Sequence, residues 1–175
     1  MRLRGRTYAI FVAEGVEDLE YWVPVMRLQE EGATVLAVGS DTEPHRGKHG
    51  LSMRAEVTAD AVDAAGLDGL VIPGGWAPDT LRRDPAVLAL VRAVHARGLP
   101  IGIICHGGSV AISAGIVGAR ATGSLGIKDD LVNAGAEWVD EPAFRDGTLV
   151  WGRVVADIPA FTGELVRAFV EAAGA

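Results

Sequence analysis

The chain's apolar and polar positions change period several times, and each change marks an element boundary. Residues 7–13, TYAIFVA, are an unbroken apolar run closed by Glu14-Gly15. Such a run predicts a strand covered on both faces. The period then becomes helical: Leu19, Trp22, Val23, Met26 and Leu28 fall near 3.6-residue spacing, and Gly32 stops the pattern. Pro24 lies inside this helix, where it removes a backbone hydrogen bond and predicts a kink. ATVLAVG (33–39) reads as a second strand. Residues 41–58 are polar, carry HRGKHG, and read as a loop or hairpin excursion.

LDGLVIPGG predicts a third strand running into glycines. DPAVLALVRAVHARG predicts an amphipathic helix, entered at Asp84-Pro85 and left at Gly98. PIGII is a continuously apolar strand, and GSVAISAG a small helix. Further on come a helix in GIKDDLVNAG, a short EWV segment and a hairpin, FRDGTLVW, turning at Asp-Gly. The last helix, IPAFTGELVRAFVEAAG, sets Ile158, Phe161, Leu165 and Phe169 on one face. Strands alternate with helices throughout, and the 175 residues suit one domain, 1–175. The expected class is therefore α/β, a mostly parallel sheet with helices on both faces. Ligands of such sheets bind at the carboxyl ends of strands. Two segments end there in glycine, VIPGGW and GIICHGG.

Composition narrows this picture by exclusion. The net charge is −7 with acids and bases intermixed, which argues against a nucleic-acid or anionic-membrane partner. One cysteine cannot form an internal disulfide, a C-x-x-C pair or a zinc cluster, and no metal or cofactor is expected. No stretch approaches the ~18 apolar residues of a membrane span, and the basic N-terminus lacks a signal-peptide apolar region. A cytoplasmic, reducing location is expected, where a thiol stays free.

That thiol is Cys105. It stands between an apolar strand and a small helix, with Gly107 two positions on, as in a nucleophile elbow. The tight turn would hold the side chain above the sheet, where bulk at position 107 would clash. The N–H groups of the following helix would favour thiolate, the reactive form. The backbone N–H of His106, with a second donor from Gly75, would face an oxyanion beside the sulfur. The plain alternative is a buried, inert cysteine.

Four histidines are present, His45, His49, His95 and His106, and none follows residue 106. An order with cysteine first and histidine far downstream is therefore excluded. An assisting histidine is His106 or one from another subunit. His106 could equally be a turn residue bonded to backbone. His45 and His49 suit solvent or a loop hydrogen bond, and His95 suits a helix end.

GIICHGGSVAISAG, GIKDDLVNAGAEWVD, VIPGGWAPD, GKHG and EGVEDLEYWVPVMRLQEEG together span nearly the whole chain. They resemble the ThiJ/PfpI superfamily, in its branch of PfpI-type intracellular proteases and protein deglycases. The resemblance implies a flavodoxin-like three-layer sandwich with a nucleophile elbow. It also implies homo-oligomers, dimers or hexamers. It assigns Cys105 as nucleophile, His106 as its neighbour, Glu20 as a helix acid bonded to the thiol, and Asp79 as an acid supplied by an adjoining subunit. Burial would raise the Glu20 carboxyl's pKa and let it donate. Its alternative is one more exposed helix acid beside Glu14, Glu17 and Asp18. Asp79 could instead N-cap a helix.

The sequence departs from the branch in four places. Asp79 stands for a glutamate, CHGG for CHGP, Trp76 for a usual arginine, and Ser124 where a tyrosine is common. Trp76 makes the pocket mouth more apolar. The implied reaction is attack of the Cys105 thiolate on the carbonyl of a small molecule or a peptide/amide. The alternative is a redox-sensing or chaperone-like stress protein without turnover, using an oxidisable Cys105.

Overall fold

The computed structural model describes residues 1–174. In chain order the elements are β1 (Thr7–Phe11), α1 (Asp18–Glu30), β2 (Thr34–Gly39), β3 (Pro44–Arg46), β4 (Ser52–Arg54), β5 (Val57–Thr58) and β6 (Gly69–Ile72). They continue with α2 (Ala77–Leu81), α3 (Pro85–Ala96), β7 (Ile101–Ile104), α4 (Gly108–Ala114), β8 (Arg120–Ala121) and α5 (Lys128–Asn133). The chain closes with β9 (Glu137–Trp138), β10 (Ala143–Asp146), β11 (Leu149–Gly152) and α6 (Ile158–Ala173).

Seven strands form the main sheet in the order β10-β11-β7-β6-β1-β2-β5. All neighbours in it are parallel except the hairpin β10–β11. The apolar runs predicted to be covered are so: β7 is buried at every position and β1 at every position but Thr7, and β6 between them is buried throughout. Helix α1 packs against α6, and α3 against α4 and β6, so helices cover both sides of a flavodoxin-like sandwich. Residues 44–54 form a separate two-stranded hairpin, β3–β4, in the excursion expected there.

Local chemistry sets the boundaries. Asp84 caps α3 by accepting from the Ala86 N–H, with Pro85 in the first turn. Helix α1 ends with Gly32 at φ +87°, and the Gly32 and Ala33 N–H groups close back on Gln29 and Leu28 carbonyls. Asp79 lies inside α2, whose cap position is Trp76, so the capping alternative for Asp79 is corrected. The helix starts earlier than expected because the Trp76 N–H is held by the Gly15 carbonyl at 2.8 Å, which fixes the chain's direction ahead of Asp79.

From β1 the chain moves outward to β2 and β5, then returns to β6 on the opposite side of β1. The carboxyl ends of β1 and β6 therefore flank the point where strand order reverses. The two loops leaving them are stitched together: Val16 and Gly75 form a bridge, and the Glu17 N–H donates to the Gly74 carbonyl at 3.2 Å.

Candidate active site

Cys105 directly follows β7 and is the only non-glycine at positive φ among the described residues, at +58°. An L-residue held there costs on the order of 1 kcal/mol, so the surroundings must impose it. They do so by close packing. A Cβ at Gly107 would overlap the Ile72 carbonyl oxygen, a backbone atom that cannot move aside. The expectation that bulk two residues after the cysteine would clash is thus met by a strand end, that of β6. A Cβ at Gly74 would lie 2.6 Å from Glu20 Oε2 and 2.7 Å from Cys105 Cβ. The elbow, the glycines after β6 and the start of α1 are in direct contact.

Glu20, on the third residue of α1, is fully buried. Its Oε2 accepts from the Gly74 N–H at 2.8 Å, and its Oε1 has no hydrogen-bond partner of regular geometry. Burial pushes its carboxyl up to about 7; the Gly74 N–H and the Cys105 thiol pull the other way, and Glu17 adds repulsion. Near neutrality this carboxyl exchanges a proton readily.

Glu17 and Asp18 are corrections. Both were expected as exposed acids, and they are 4% and 2% exposed. Asp18 accepts from the His49 and Leu51 N–H groups at 2.7 and 2.8 Å, and Glu17 faces Lys48 and His49 at 3.7 and 3.3 Å. Their partners lie some thirty residues on, outside any local pattern. Glu14 is exposed, as expected.

The expectation of a thiolate at rest is also corrected. Burial pushes the Cys105 thiol up to about 12, and the nearby Glu20 carboxyl adds to the rise. The backbone N–H groups of His106 and Gly75 both face the sulfur and oppose the rise without overcoming it. The turn after Cys105 is 3₁₀ and α4 itself is only seven residues long, so the helix start offers the sulfur little to offset its burial. The resting state is thus a thiol, with two backbone donors already aimed at it.

His106 places Nδ1 3.4 Å from the Cys105 sulfur. Burial, then the positive charge of Lys48, pushes its pKa down, so the ring is neutral at pH 7 and one nitrogen can accept a proton. Asp79 does not touch this ring. Its side chain is 81% exposed and faces Arg83 at 3.5 Å. The other histidines lie away from the sulfur: His45 faces Asp41 at 3.1 Å, His49 is mostly exposed, and His95 lies in the last turn of α3 with Nδ1 buried and unpartnered.

The sulfur opens into a cavity of about 340 Å³ bounded by Glu20, Lys48, Trp76, His106, Ser124 and the 154–156 segment. A second hollow of about 660 Å³ adjoins it across Trp76 and His106 and takes in Asp79, Arg46 and Arg82. Trp76 is 66% exposed between the two, packed on Gly15. Ser124 lines the first cavity as well. Sequence reasoning missed Lys48. Its signal was a cation between two glycines in GKHG.

Together these features define an α/β protein with a lone cysteine on a strained elbow, backed by a buried carboxyl at a topological switch point. The chain belongs to the DJ-1/PfpI family, whose pattern it matches over residues 6–168. It is 40% identical over 156 residues to "Deglycase PH1704" of Pyrococcus horikoshii, covering 89% of this chain and 94% of that protein. It is 38% identical over 156 residues to "Deglycase PfpI" of Pyrococcus furiosus, with the same coverage. Among solved structures, a two-domain protein of Anabaena variabilis with DJ-1/ThiJ/PfpI-like and ferritin-like domains superposes with a TM-score of 0.90 at 36% identity. That match covers 93% of this chain and 49% of the two-domain protein.

Proposed function

We propose that this protein is a cysteine-dependent enzyme acting on reactive carbonyls, of the glyoxalase/deglycase type, with Cys105 as the attacking atom. The observation that carries the reading is the set of groups converging on one sulfur: a buried acid near neutrality behind it, a neutral imidazole 3.4 Å away, and two backbone N–H groups facing it. The relatives named deglycases agree with it.

The chemistry follows from those groups. Sulfur adds to the aldehyde carbon of a 2-oxoaldehyde as its proton leaves to His106 Nδ1 or to Glu20, giving a hemithioacetal. A resting thiol is no obstacle, because a base sits within reach. The His106 and Gly75 N–H groups stabilise the developing oxyanion. Glu20 or His106 then moves the C1 proton to C2, giving the thioester of a 2-hydroxy acid. Water hydrolyses the thioester and frees the thiol, so the net change is addition of one water. Incubation with methylglyoxal should yield lactate, and the Cys105→Ala variant should yield none above the uncatalysed rate. Equal product from both proteins refutes the reading.

Amide hydrolysis is the less favoured reading. It needs an acid to orient His106, and within one chain Asp79 points to solvent and Arg83. Asp79 from an adjoining copy in a dimer or hexamer would have to supply it. Asp79→Ala should then abolish peptidase activity while leaving lactate formation intact.

A further inference from the structure

The cavity over Cys105 holds one fixed cation that the reaction scheme does not use. Among the described residues lining it, Lys48 is the only lysine or arginine. Its position is built in. The Lys48 N–H donates to the Val16 carbonyl at 2.8 Å, just ahead of α1. Asp18 takes the next N–H groups, from His49 and Leu51, on its two carboxylate oxygens. Gly47 lies so close to that carboxylate that a Cβ would overlap it. The turn carrying Lys48 is therefore clamped to the same helix end that carries Glu20.

The ammonium is only loosely engaged. Nζ lies 3.7 Å from Glu17 Oε2 and 5.8 Å from the centre of the Trp76 indole. Both exceed hydrogen-bond distance, so Nζ keeps donors for a ligand. Its charge is felt at the reacting groups, since it lowers the pKa of both Glu20 and His106. The opposing charges are Glu17, which is shared with His49, and Glu20, which is part-protonated near neutrality. Arg46 and Arg82, with Glu14 and Asp79, face the adjoining hollow instead.

We propose that Lys48 recognises an anionic group on the substrate, so that the site prefers small carbonyl compounds bearing a carboxylate beside the reacting carbon over their neutral analogues. The proposal rests on Cys105 being the attacking atom. With glyoxylate, the S–C bond forms at the aldehyde carbon and the thiol proton passes to its oxygen. Lys48 and Cys105 line the same cavity, so a carboxylate on the adduct shares that space with the ammonium, and no oxidant is needed.

The test compares iodoacetate with iodoacetamide on the folded protein. In both, the sulfur bonds to the same kind of carbon as the C–I bond breaks and iodide leaves to solvent; they differ by one negative charge. The iodoacetate-to-iodoacetamide rate ratio at Cys105 should fall about fivefold in K48Q, fall further in K48E and stay at the wild-type value in K48R. In roughly 1 M salt the wild-type ratio should approach that of K48Q. Glyoxylate should protect Cys105 from iodoacetamide about fivefold less well in K48Q. Equal ratios in wild type, K48Q and K48E, with Cys105 reactive in all, overturn the role of Lys48 and leave the nucleophile standing. Failure of either reagent to modify folded Cys105, while the urea-unfolded chain reacts, overturns the nucleophile and this proposal with it.

Discussion

Replacing Glu20 by glutamine should make the protein more stable at alkaline pH while removing its activity. Glu20 is fully buried, and its pKa is raised from 4.5 to about 7. Between those values the folded state binds a proton that the unfolded state has released. Stability therefore falls as pH rises through this window, by 2.303RT times the shift, about 3 kcal/mol above pH 7. Glutamine has nearly the same shape, can still accept from the Gly74 N–H, and carries no charge. The variant should exceed wild type by roughly 2–3 kcal/mol at pH 8, and by less than about 1 kcal/mol at pH 5. With a urea m-value of about 2 kcal/mol/M, that is a midpoint shift of about 1 M at pH 8. The Cys105 thiol is protonated at both pH values in either protein, so it cancels. Urea titrations at the two pH values, with methylglyoxal turnover alongside, measure all of this. A midpoint difference that is the same at pH 5 and pH 8, or a variant less stable at pH 8, refutes the claim that burial of Glu20 raises its pKa.

Three further outcomes are expected. Cys105→Gly should be more stable than Cys105→Ala by about 1 kcal/mol in denaturant titration, because only glycine is at ease at φ +58°; equal midpoints would show that the elbow is unstrained. Gly107→Ala should cost more than about 3 kcal/mol or prevent soluble expression, since its Cβ meets the Ile72 carbonyl, whereas Gly66→Ala, with open space around it, should change stability by less than about 0.5 kcal/mol. Alkylation of Cys105 by iodoacetamide should rise about tenfold per pH unit from pH 7 to 9, because a thiol pushed up to about 12 is far from half-ionised there; a plateau below pH 8 would show a low-pKa thiolate.

Much of the site was legible because its parts are local. The strand, the cysteine and the glycine two positions on lie within a few residues, and only a tight turn fits that spacing. The second glycine-ended strand proved to be its neighbour, an adjacency that the alternation of strands and helices does not specify. Glu17 and Asp18 were misread because helical spacing describes a face but not what covers it. Their cover is the 47–51 turn, brought back by β3 and β4. The capping alternative for Asp79 failed because the start of α2 is fixed by the Gly15 carbonyl, some sixty residues earlier in the chain.

By itself, the sequence determined the order of elements, the α/β class, the elbow and the resemblance that singled out Glu20. Those depend on periodicity and on short-range sterics, which neighbouring residues specify. Only the tertiary structure decided the protonation of the site. Charge stabilisation depends on how completely water is excluded and on which groups replace it. Those replacements come from Gly74 and Lys48 for Glu20 and from His106 and Gly75 for Cys105, on the loop after β6, the β3–β4 turn and the elbow after β7.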